Sequence, residues 1–76
     1  MHAYEVGNFI LDTLWDLEIY AHPKLVIHKG YAWIRTGHKD QNIEITPELK
    51  IILHGTPFYK KNQIPWTLFN NMIGKN

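Results

Sequence analysis

Five histidines, seven carboxylates and a basic, aromatic segment are the residues of this 76-residue chain whose chemistry could carry a function. The histidines are His2, His22, His28, His38 and His54. Zinc sites draw ligands in local pairs, because one turn or helix face then presents two at once. Here the closest two, His22 and His28, are six residues apart, and the chain has no cysteine. No metal and no cofactor is expected. Asp12 and Asp16 fall one helical turn apart, but general acid–base work needs one carboxyl buried and raised in pKa. Their stripe is the most polar of its helix and reads as solvated. There is no serine for a triad and no thiol nucleophile. Phosphate-binding loops need clustered glycines, and Gly30, Gly37, Gly55 and Gly74 stand singly where elements end. Acid–base RNA cleavage, with Arg35, His38 and Lys39 as its groups, is the one catalytic reading left.

Binding chemistry is better supplied. Lys24, His28, Lys29, Arg35, His38 and Lys39 surround Tyr31 and Trp33, and Lys60 and Lys61 lie further on. Cations attract phosphates and exposed aromatic rings stack on bases, so Lys24, Lys29, Arg35, Lys39, Lys60 and Lys61 are nucleic-acid candidates. A net charge of +1 and a pI near 8.1 are modest for such a role. Trp, Tyr and Arg are also the anchors of protein interfaces. Trp15, Ile19, Tyr31, Trp33 and Arg35 are the interface candidates. The expected function is non-enzymatic protein binding, as an inhibitor, regulator or adaptor, with self-association into a homodimer among its forms. Nucleic-acid binding through the hairpin 24–39 is the alternative, and a small RNase the third reading. The partner is not identified.

These residues need elements to position them. From about Tyr4 to Ala21, Glu5, Asn8, Asp12 and Asp16 recur at helical steps on one face, and Val6, Ile10, Leu14 and Leu17 on another. Pro23 is expected to end this helix, and Asn8, after Gly7, to cap it if it starts late. Phe9, Leu11, Trp15, Ile19 and Tyr20 widen its apolar surface beyond the stripe of about 100° that a surface helix needs. Packing on two sides is expected: a sheet on one, the last helix or a second subunit on the other. Lys24–His28 and Tyr31–Thr36 read as strands around a Lys29-Gly30 turn, and Ile43–Ile45 as a third. If Ala32 and Ile34 face the core, alternation leaves Tyr31, Trp33 and Arg35 together on the other side.

Thr46-Pro47-Glu48 resembles a helix start, giving a short helix that ends at Gly55. The same stretch also reads as a turn before a fourth strand, since Ile51-Ile52 suits a strand. Residues 56–63 read as a loop. Pro65 opens a final helix lined by Ile64, Leu68, Phe69, Met72 and Ile73, with Gly74 as its stop. The fold class is α+β in one small domain over residues 1–76: an N-terminal helix, a three-stranded antiparallel sheet, a short helix or fourth strand, and a C-terminal helix.

This order, with Lys24-Leu25-Val26, Lys29-Gly30 and Ile64-Pro65, resembles the HicA-type toxins, small RNases with an αβββα fold like that of double-stranded-RNA-binding domains. In that family a catalytic histidine follows shortly after the matching glycine. Here Tyr31, Ala32 and Trp33 follow Gly30. The resemblance therefore implies the order of elements and not the activity.

Composition agrees with a folded chain, at 45% hydrophobic and 13% aromatic residues. A chain this short buries only about 60% of its unfolded surface, so its stability is narrow. Charge is divided along it. Residues 1–23 sum to −4 and residues 24–76 to +5, a split that can orient partners or subunits. No leader-like or bilayer-length apolar stretch is read, so the expectation is a cytoplasmic protein without membrane contact.

Overall fold

A computed structural model of the chain describes residues 1–38, 40–55 and 63–73. Helix α1 (Ala3–Leu17) precedes four strands, β1 (Lys24–His28), β2 (Tyr31–Arg35), β3 (Asn42–Ile45) and β4 (Ile51–His54), and a short helix α2 (Trp66–Ile73) closes the order. The strands form one antiparallel sheet in the order β1-β2-β3-β4. The α+β architecture is as expected, with one strand more than the αβββα order.

The fourth strand settles the ambiguous stretch. Residues 49–54 are not a helix. Thr46 instead closes a turn: its N–H donates to the Lys50 carbonyl, and its Oγ1 accepts the Lys50 N–H at 3.1 Å. Leu49 takes a left-handed φ of 68°, which no helix permits. The chain then reverses, pairing Ile51 with Ile45 and Leu53 with Ile43. Gly55 ends a strand, not a helix.

Helix α1 starts within a residue of the expected Tyr4 but ends earlier than expected. His2, not Asn8, is the N-cap, and the Glu5 carboxylate accepts the His2 backbone N–H at 2.8 Å. Gly7 is buried inside the helix, where a Cβ would lie 2.9 Å from Leu25 Cδ1 and 3.1 Å from the Ala32 methyl. The missing side chain lets α1 sit directly on the sheet, offsetting the helix propensity that glycine forfeits. At the other end Glu18 turns left-handed (φ 53°) and its N–H donates to the Trp15 carbonyl, so the helix stops well before Pro23. Ile19 and Tyr20 are therefore not helical, and Leu17 is exposed instead of lining the core.

The core lies between α1 and one face of the sheet. Val6, Ile10 and Leu14 of α1 meet Ala32, Ile34, Ile43 and Ile45, all fully buried, and Phe69 of α2 joins them. Phe69 touches Phe9 and Trp66 edge-on, with ring centroids 5.5 and 5.6 Å apart. So α2 covers the Phe9 flank of α1. Leu68, expected on the inner face of α2, is exposed. Gly74 lies outside the described residues, as does most of the loop expected at 56–63.

At the end of the sheet the buried Thr36 fixes the β2–β3 connection. Its Oγ1 donates to the Gln41 carbonyl at 2.8 Å and accepts the His38 N–H at 3.2 Å. Tyr20 packs beside it, its ring edge-on to His38 and its hydroxyl 3.5 Å from Gln41 Oε1. Burial raises the Tyr20 phenol above its ordinary value of 10.0. The unfolded chain thus ionises first, so the contribution of Tyr20 to stability is constant below about pH 10 and declines as pH rises beyond it. Urea midpoints compared at about pH 8 and about pH 11 check this: Tyr20→Phe should lose less stability over that interval than the wild type.

Candidate interaction face

The pleat places alternate residues of every strand on the side of the sheet away from α1. The register fixes which. Lys24, Arg35, Asn42 and His54 form one cross-strand row, Val26, Trp33, Glu44 and Ile52 the next, and His28 with Tyr31 a third. Both helices pack on the opposite side, and no described element covers this face. Val26, Ile52 and Tyr31 are exposed on it and Trp33 is half-buried.

The hairpin that presents it is built as its sequence suggests. Lys29 and Gly30 both take positive φ, 50° and 82°, the combination of a type I′ turn, whose twist matches the strands. Ala32 and Ile34 are buried against α1, so Tyr31, Trp33 and Arg35 share the open side. Trp33 is less exposed than alternation alone implies. Its indole stacks on the His54 ring at 5.3 Å with 27° between planes. His54 Nε2 in turn lies 2.8 Å from Glu44 Oε1. A carboxylate and an imidazole thus support one side of the indole at the middle of the face. Beside them Val26, Trp33, Arg35 and Asn42 line a shallow hollow of about 320 Å³.

Lys24 and Arg35 stand directly opposite each other on neighbouring strands, both exposed. Like charges in that position oppose strand pairing. Among the described residues, neither makes a salt bridge.

The candidates divide as follows. Tyr31, Trp33, Arg35 and Lys24 come together on the open face. Lys29 is at the hairpin tip, and Lys39, Lys60 and Lys61 lie outside the described residues. Trp15 is exposed on α1, edge-on to His22, and so is not on the open face with Trp33. Ile19 is partly buried against the core and is not on the open face. Of the RNase groups, Arg35 is on the open face and His38 packs on Tyr20. Among the described residues no three metal-ligating side chains gather, and no described helix is long and apolar enough to cross a membrane. Val26, Ile52, Glu44, His54 and Asn42 were missed as members of the face. Period-two alternation gives each strand's two sides, but only the cross-strand register joins them.

Comparison with protein families, with curated proteins and with solved structures finds no match for this chain.

Proposed function

We propose that this chain is a protein-binding domain that docks an acidic, partly apolar segment of another protein on its open sheet face. The observation that carries this reading is the row order of that face: a Lys24–Arg35 cation pair, without a salt bridge among the described residues, directly beside an apolar and aromatic patch of Val26, Trp33 and Tyr31. Interfaces are built this way, with aromatic anchors at the centre and a polar rim. Carboxylates from a partner would relieve the repulsion between the two cations, so part of the binding free energy is stored in the free domain.

Nucleic acid would bring anions to the same cations. Two features weigh against it. One side of the Trp33 indole is taken by His54, which limits base stacking, and Glu44 sits beside Trp33, where a phosphate chain would meet a carboxylate.

Capture from a native lysate on immobilised wild-type, Trp33→Ala and Arg35→Glu chains tests the reading, with a single-stranded oligonucleotide titration in parallel. Proteins retained by the wild type should elute with salt and be lost from both variants, a hot-spot tryptophan giving about 30-fold or more. Equal retention by all three chains would refute it. Quenching of tryptophan fluorescence by the oligonucleotide, strengthened in Glu44→Gln, would establish the nucleic-acid reading instead.

A further inference from the structure

The strand β1 is an edge of the sheet, and its outer side pairs with no described residue. Natural edges are protected by proline, bulges or inward charges. This one has none at its three central positions, Leu25-Val26-Ile27, and its pairing with β2 runs without a break. It is also exposed on both sides. Val26 is 43% exposed on the open face and Ile27 49% on the helix side. The opposite edge, β4, has a single exposed residue, Ile52.

Helix α1 continues the apolar surface above this edge. Phe9 is on the flank that α2 covers, whereas Tyr4, Leu11 and Trp15 recur at helical steps on the other flank. That flank overhangs β1. His2, Ala3, Tyr4, Ile27 and Gly30 line one hollow of about 270 Å³, and Trp15 touches His22, just before β1 begins. Thus α1 runs antiparallel to β1, with Tyr4 47% and Trp15 49% exposed along it.

We infer that the occupant of this edge is a second copy of the chain, added through antiparallel β1–β1 pairing about a two-fold axis at Val26. The hydrogen-bond parity supports this register. A two-residue hairpin closes on a pair that exchanges hydrogen bonds, here His28 and Tyr31. Counting back, the N–H and C=O groups of Ile27 and Leu25 point outward and those of Val26 point to β2. A two-fold at Val26 therefore sets Leu25 against the partner's Ile27 twice, with both outward pairs of groups satisfied. Val26 faces its own copy across a non-hydrogen-bonded pair.

Charge and shape agree with a copy. Lys24 is placed opposite a histidine, not another lysine, and the acidic stripe of Glu5, Asp12 and Asp16 stays in solvent. The two α1 helices run antiparallel, their dipoles opposed. Since α1 lies over β2, the two helices stand three strand spacings apart, about 14 Å. That gap is too wide for the 8–10 Å contact of ordinary helix pairs. Large side chains such as Tyr4 and Trp15 fill it. The dimer borrows Val26 and Lys24 at the rim of the open face but leaves Tyr31, Trp33 and Arg35 of each copy uncovered. It does not rest on the proposed function, and Ile27→Lys, on the helix side of β1, tests it without altering that face.

Sedimentation equilibrium up to about 500 μM chain, with cysteine cross-linking, tests it. The wild type should saturate at two chains, and Ile27→Lys should raise the dissociation constant about tenfold or more. The chain has no cysteine of its own. Val26→Cys should self-cross-link on mild oxidation, as paired Cα atoms in that register are about 4.5 Å apart. Lys24→Cys and His28→Cys should each cross-link poorly alone and well when mixed. A wild type that stays monomeric throughout would overturn the inference, as would Val26→Cys that oxidises no faster than Lys24→Cys.

Discussion

Phe69→Ala is expected to leave the chain without a cooperative thermal transition, or with one lowered by at least about 12 °C. Phe69 is fully buried and is the only residue of α2 in the innermost core among those described. Removing a buried aromatic ring costs about 3–5 kcal/mol, and a chain of this length has roughly 4–11 kcal/mol in total. The same substitution also unseats α2, because Phe9 and Trp66 both rest on the edge of that ring. Leu68→Ala, on the exposed side of the same helix, should change stability by about 0.5 kcal/mol or less. Circular dichroism melts of the two variants separate the burial of Phe69 from a general weakness of a short helix.

Gly55→Ala should be nearly as damaging, at about 2–5 kcal/mol, for a different reason. Gly55 has a φ of 99°, and a Cβ there would collide with the backbone carbonyl of Asp40. Backbone cannot swing aside as a side chain can, so the β2–β3 connection held by Thr36 would have to move. Gly37 is the control. Its φ is 89°, yet a Cβ there meets nothing within 4 Å. Gly37→Ala should cost only the conformational strain, about 1–2 kcal/mol. Urea unfolding of the pair isolates the collision. Equal losses would show that the close approach of Gly55 to Asp40 contributes nothing.

These two positions show where the sequence was legible and where it was not. The helix face of Val6, Ile10 and Leu14, the Lys29-Gly30 turn and the alternation of β2 are local patterns, and each appears in the structure where the pattern put it. The end of α1 was not legible, because Glu18 takes the left-handed conformation without being glycine or asparagine. Gly7, read only as the residue before a late start at Asn8, is a contact surface, a role visible only once Leu25 and Ala32 are placed against it. Thr46-Pro47-Glu48 carries the letters of a helix start, but the pairing of Ile51 and Leu53 with β3 outweighs that local preference. The candidate face divides in the same way. Tyr31, Trp33 and Arg35 follow from one strand's alternation, whereas Glu44 and His54 reach Trp33 only through register across β3 and β4.

The central claim is that Trp33 serves binding and not folding. Its most direct test is Trp33→Ala, measured for both at once: urea unfolding for stability, and capture from lysate for binding. Trp33 is half-buried on a face with no described cover, so the variant should keep its fold within about 1 kcal/mol and release the proteins that the wild type retains. A variant that unfolds, or one that stays folded and retains the same proteins, would contradict the claim.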